Sequence, residues 1–382
     1  MRTLYLNGHI YSTSAGDVSA FLVDSRQVAW LGDDSLAVEL AADVRVDLDG
    51  AFVTPAFVDT HVHSTALGRR LLGHSADPGL PERNVAQKAA LEHAASRGVA
   101  CLHELGGPLK GEEDLTSLIE LADEIAGPEV IAYWSGLQEA ETAVRLGAIG
   151  SGGDLFCGAL EVEDVVEHLW LAEEHGRQAA FHTDTEASLR IVLDAVDRLR
   201  QGARSVTAGV RVELTTGTPD YTRLSMARVT ASLRPLANGN GQLAPSYKTL
   251  VSGGIPITLG SYVAAGQLDP WAAIQAAAYP EDPDTAISPR AAFIAHTRGG
   301  WRVVGRDGDG SGTVAVGSPA TFAVWDAAEL GVDSVDDRLS RWSTDPRSAV
   351  PGLPDLRPGS ALPRCLRTVR DGEIIFDAGV LS

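Results

Sequence analysis

Cysteine is scarce: Cys101, Cys157 and Cys365 are the only three in 382 residues, far apart and without a Cys-x-x-Cys. That spacing offers no disulfide framework and no structural zinc motif, and it suits a reducing compartment. Positive charge is short as well, with 31 Lys and Arg against 51 Asp and Glu, a formal net charge of −20. A nucleic acid or an anionic membrane surface would be repelled, so neither is expected as a partner. Long apolar runs are missing too, each being broken by charge or glycine, so no membrane span is expected. The opening residues Met1 to Gly8 read as a strand and a turn, where a secretory signal needs a basic segment followed by a longer apolar one. A cytoplasmic protein acting on a small molecule is the expectation, with homo-oligomerisation left open. No repeat or low-complexity tract stands out.

What is present is an ordered alternation. Short strand-like runs at 3–6, 20–23, 27–31 and 44–48 are separated by turn signals such as Asn7-Gly8 and Asp49-Gly50. Eight apolar runs follow, at 52–61, 99–105, 129–134, 148–156, 178–182, 210–214, 228–233 and 255–259. Amphipathic helical patterns at 84–97, 115–125, 162–175 and 187–199 lie between them, and 271–279 and 289–297 supply closing helices. Eight strands joined by helices predict a parallel sheet, and the count favours a closed (β/α)8 TIM barrel. Beyond Gly299-Gly300 the pattern returns to β, at 301–304, 313–316, 321–325, 366–369 and 374–376. The expected α/β architecture is a barrel over 56–300 and a small composite β-sandwich from 1–55 and 301–382. The segment 345–364, with five of the 19 prolines, reads as an extended loop.

In such a barrel the working residues sit at the C-terminal ends of the strands. The first end carries His61 and His63 in Val53-Thr54-Pro55-Ala56-Phe57-Val58-Asp59-Thr60-His61-Val62-His63. Residues i and i+2 of a strand share a face, so both imidazoles can reach one ion. The alternative is two polar residues where a strand meets a loop. Further ends offer His103 and Glu104, Asp154 and Cys157, His182 and Asp184, Glu213, and Ser261 and Tyr262. His93, His168 and His175 fall in predicted helices and read as packing or surface residues. His61, His63 and His182 form a candidate three-imidazole face, and three protein ligands with an open position describe a catalytic zinc site. A metal there could make hydroxide near neutral pH and polarise a carbonyl. For His182 alone, a satisfied core histidine is the competing reading.

These motifs resemble the amidohydrolase superfamily, in the subgroup of N-substituted formamide deformylase-like enzymes. The resemblance runs from 55–63 through Gly98 to Glu104, Asp269-Pro270-Trp271 and Ser288-Pro289-Arg290-Ala291 to Val316–Asp326. It implies a (β/α)8 barrel, a sandwich built from both termini, and metal-dependent hydrolysis of a C–N bond in a small amide or cyclic amide. It also implies that His61, His63 and His182 hold the metal. Two positions depart from the pattern. The sixth strand reads Arg211-Val212-Glu213-Leu214 where the family has Arg-x-Glu-His, and the eighth reads Leu259-Gly260-Ser261-Tyr262 where it has Leu-Gly-Ser-Asp. The chain is shortened where relatives carry inserts, and Leu155 stands where bimetallic relatives place a bridging lysine. One divalent metal is therefore expected, zinc first, with iron or manganese as alternatives. Leucine has no donor and a phenol is a poor base at neutral pH. Asp184 and Glu104 are the candidate replacement carboxylates, each competing with a solvated rim role. A catalytically inactive relative used for binding or as a scaffold is the alternative function.

Overall fold

The computed structural model describes residues 1–73, 80–105, 112–133, 155–156, 161–183, 185–202, 209–214, 217, 219–237, 244–261, 268–327, 330–331 and 352–382. Eight short, mostly apolar strands form a parallel array in two arcs. Phe57–Val62, Val99–Leu105 and Glu129–Tyr133 make the first arc. Leu155–Phe156, Ala179–Thr183, Val210–Leu214, Thr230–Leu233 and Ile257–Leu259 make the second. Side chains join the last strand to the first. The Thr60 hydroxyl donates to the Leu259 carbonyl at 2.9 Å and lies 3.1 Å from the Thr258 hydroxyl. Asp59 Oδ1 accepts from the Ser261 amide at 2.8 Å. The strands are buried along nearly their whole length, as parallel strands covered by helices must be.

Helices start where the sequence supplies caps. Asp269 and Ser288 each accept an amide of the first turn and are followed by proline at the first helical position, opening Pro270–Ala278 and Pro289–His296. Thr185 caps Glu186–Gln201, and Leu80–Ser96, Glu112–Glu124 and Val162–Glu174 complete the expected set.

Both chain ends enter one five-stranded sheet, in the order Glu373–Asp377, Arg364–Arg370, Phe322–Asp326, Phe52–Pro55 and His9–Ile10. A four-stranded sheet of Gln27–Gly32, Ala20–Asp24, Arg2–Leu6 and Val44–Asp47 packs on it. Tyr5 stacks on Phe21 at 4.6 Å, and both meet the edge of Phe322. Phe57, Trp271 and Trp325 form a buried aromatic cluster that ties the array to the terminal sheet, with centroids 5.1 to 5.5 Å apart.

Three expectations change. The run 52–61 is two strands, parted at Ala56, one in each sheet system. Residues 301–304, expected as a strand, lie at the end of the helix Arg298–Val303 and just beyond it. The glycine pair explains this: a Cβ on Gly300 would stand 2.5 Å from the Val58 side chain, so only glycine lets that helix lie on the first strand. Residues 313–316 form no strand. Most of 148–156 falls outside the described residues, as do 345–351; the rest of the proline-rich run, 352–363, is irregular apart from the two-residue strand Leu353–Pro354, in keeping with the expected extended loop.

Candidate active site

His61 closes the first strand and is fully buried, and His63 follows it as the cap of helix Ser64–Leu71. Their rings lie 5.2 Å apart at 90°, and the His182 ring, from the fifth strand, is 6.1 Å from that of His61. The His61 ring therefore neighbours both of the others. The backs of the His61 and His63 rings are fixed by hydrogen bonds. His61 Nδ1 lies 2.6 Å from Glu213 Oε2, and His63 Nδ1 lies 2.8 Å from the Leu105 carbonyl oxygen. A carboxylate and a carbonyl can only accept, so both Nδ1 atoms carry the proton and both Nε2 atoms keep a lone pair. That tautomer is the one a metal-binding histidine adopts. The eighth strand comes close because Gly260 has no side chain: a Cβ there would be 2.5 Å from the His61 amide nitrogen.

Behind the histidines lies a buried ionic network. Arg211 Nε donates to Glu213 Oε1 at 2.6 Å, Nη1 to His103 Nδ1 at 3.0 Å, and Nη2 to Ser232 Oγ at 3.1 Å and to the Thr60 carbonyl. The guanidinium also lies over the Tyr133 ring, 4.9 Å from its centroid. Burial works to raise the Glu213 pKa, but Arg211 and then His61 hold it well below the carboxylate range. Burial, and next Arg234, lower His61 to about 4 against the opposing pull of Glu213. His103 is held neutral by burial and by Arg211.

In front of the histidines lies Arg234, a residue that strand-end reasoning passed over. Its Nη1 is 3.4 Å from His61 Nε2 and its Nη2 is 3.4 Å from His182 Nε2. A guanidinium can only donate, so each Nε2 accepts, in agreement at His61 with the tautomer that Glu213 sets from behind. Among the described residues, no group of three His, Cys, Asp or Glu side chains is arranged to hold a metal ion.

The other candidates separate. Glu104 is fully buried at the end of the second strand, where it accepts from the Ser64 amide at 2.8 Å and the Ser64 hydroxyl at 2.6 Å. Its carboxylate anchors the first turn of the helix after His63, an anion at a helix N-terminus, so it is no solvated rim group. Leu214 packs in the apolar cluster with Val212 and the helices, on the opposite face of its strand from Arg211 and Glu213. Asp184, Tyr262, Asp154 and Cys157 lie outside the described residues. His168 is buried inside a helix against Phe181, as expected of a packing residue.

The profile of the amidohydrolase family matches residues 71–376 of the chain. The chain belongs to the amidohydrolase family. Among solved structures, this family member superposes on an uncharacterised metal-dependent hydrolase from Pyrococcus furiosus with a TM-score of 0.70 and 19% identity, covering 85% of this chain and 98% of the other. It also superposes on a zinc-bound adenosine deaminase from Xanthomonas campestris with a TM-score of 0.70 and 14% identity, covering 97% and 92%. At these identities the likeness is one of fold. In sequence, the chain is similar to imidazolonepropionase of Pseudomonas putida (strain GB-1), 33% identical over 75 residues. That match covers 18% of this chain and 19% of the relative, so the chain spans about a fifth of the length of the curated relatives it matches.

Proposed function

We propose that this amidohydrolase-family protein hydrolyses a non-peptide C–N bond of a small amide or cyclic amide at the C-terminal ends of its parallel strands. The observation that supports the reading is that His63 and His182, each from a strand end or just beyond it, both lie beside the His61 ring. The reading includes an array closed into a (β/α)8 barrel over 56–300, and a composite sandwich from 1–55 and 301–382. Kinship with the N-substituted formamide deformylase-like subgroup and a cytoplasmic location belong to the same proposal.

The family implies a divalent ion, zinc first, and the named ligands would be His61, His63 and His182. The lone pairs suit it; the space does not. An imidazole holds zinc at about 2.0–2.1 Å, and the guanidinium of Arg234 fills the region that both Nε2 atoms face. As arranged, the residues do not fit an ion, and no step is derived through one. What the side chains can do is positional. Glu213 and the Leu105 carbonyl fix the rings, and Arg234 offers a planar cation to a carbonyl oxygen or a carboxylate. Asp184, two positions beyond His182, is the carboxylate proposed as base.

Ammonia or amine release from a panel of small amides and cyclic amides tests this, with and without added zinc, manganese or iron. Turnover that His182→Ala removes is expected. No turnover under any condition would favour the second reading, a binding or scaffold relative, for which the position of Arg234 and the apolar setting of Leu214 speak.

A further inference from the structure

Arg234 is placed by its backbone. Its neighbour Leu233 gives its carbonyl to the Gly260 amide at 2.9 Å, pinning the end of the seventh strand to the eighth. Its own carbonyl accepts from Ala237 at 3.0 Å, and Pro235 follows, which holds the preceding residue in extended conformation. Ser232, two positions earlier, faces inward onto Arg211 and Thr60. Arg234 shares that face. Arg234 is only 5% exposed, so its charge is buried at this centre.

We propose that Arg234 is the resident cation of the centre, its guanidinium bridging His61 and His182 in the place a divalent ion would take. At His61 the hydrogen bond behind the ring is of the kind that sets an imidazole for metal, and the lone pair so aimed meets Arg234 Nη1 instead, while Nη2 meets His182 Nε2. A divalent ion beside a buried guanidinium would also meet like charge at close range. The substitution changes the chemistry on offer. A guanidinium binds and polarises an oxygen, as an ion does, but it does not lower the pKa of a bound water to near neutrality. Water activation then needs a separate carboxylate, and a substrate carrying its own carboxylate or a strongly polarised carbonyl is favoured.

The inference rests on the mouth being the working centre, but its test needs no substrate. Full-length protein is purified without chelator, loaded with zinc sulfate, gel-filtered and analysed for metal, beside Arg234→Met, Arg234→Ala and Arg234→Lys. The wild type and Arg234→Lys should retain almost none, whereas Arg234→Met and Arg234→Ala should retain about one equivalent. Adding His182→Ala to either should remove it. One equivalent in the wild type, lost with His182→Ala, would overturn the inference. Apolar variants that fold, as judged by circular dichroism, yet stay metal-free would overturn it equally. Methionine keeps the length of the side chain, so it serves if alanine collapses the site. Absent turnover in a metal-free wild type sinks the hydrolase reading and leaves this one standing.

Discussion

The back and the front of the histidine cluster tell different stories. Behind it, Glu213 and the Leu105 carbonyl hold the rings of His61 and His63 as a metal site would hold them, at 2.6 and 2.8 Å, and Arg211 holds Glu213 at 2.6 Å. In front, among the described residues, two contacts of 3.4 Å come from Arg234. The supporting side of the site is built into the strands and shares their packing, whereas the open side depends on one side chain at a strand end. Well-held backs of the rings are therefore weak evidence for an ion, and the residue standing between His61 and His182 is the stronger evidence about the centre.

Breaking the back should have the largest effect. Arg211→Met takes its arginine from the buried Glu213 carboxylate, which keeps its bond to His61, and removing one partner of such a buried ion pair costs about 3–5 kcal/mol. Urea melts should show that loss. A change under about 1 kcal/mol would mean that the network behaves like a surface pair and does not organise the rings.

A smaller effect should come from acid. Burial first, with Arg234, Arg211 or neither as the further cause, lowers the pKa of His61, His103 and His296 from 6.5, His61 to about 4. The unfolded chain binds these protons near 6.5, and the folded chain resists them. Stability is thus fully present above that pH and falls as pH drops from about 6.5 towards 4. Thermal melting between pH 7.5 and pH 4.5 should trace the decline, roughly where His titrates. A flat profile would place these imidazoles in water, contrary to the buried back of the cluster.

How much of this could be read from the sequence depends on the kind of signal. The strands were legible because apolar runs of strand length, separated by capped helices, leave little choice of period. The pair His61 and His63 was legible because strand geometry dictates a shared face. The helix Arg298–Val303 was not, since its tryptophan and valines look strand-like and only the close approach of Gly300 to Val58 decides the matter. Helices Ser64–Leu71 and Tyr221–Ala227 were too short to show a period. Glu104 read as a rim acid, but a helix amide lies within its reach and turns it into an anchor. Leu214 read as a lost ligand, whereas its strand turns it towards the helices. Arg234 escaped because a search for metal donors ignores arginine. Its signal was present nonetheless: it immediately follows the seventh strand and precedes proline, at a strand end like the histidines it bridges.

The most direct measurement is a crystal structure of the wild-type protein grown with zinc, with anomalous data collected at the zinc edge. The account predicts no anomalous peak between His61 and His182, with guanidinium density bridging the two Nε2 atoms. A peak about 2.0–2.1 Å from those nitrogens, with Arg234 turned aside, would contradict it.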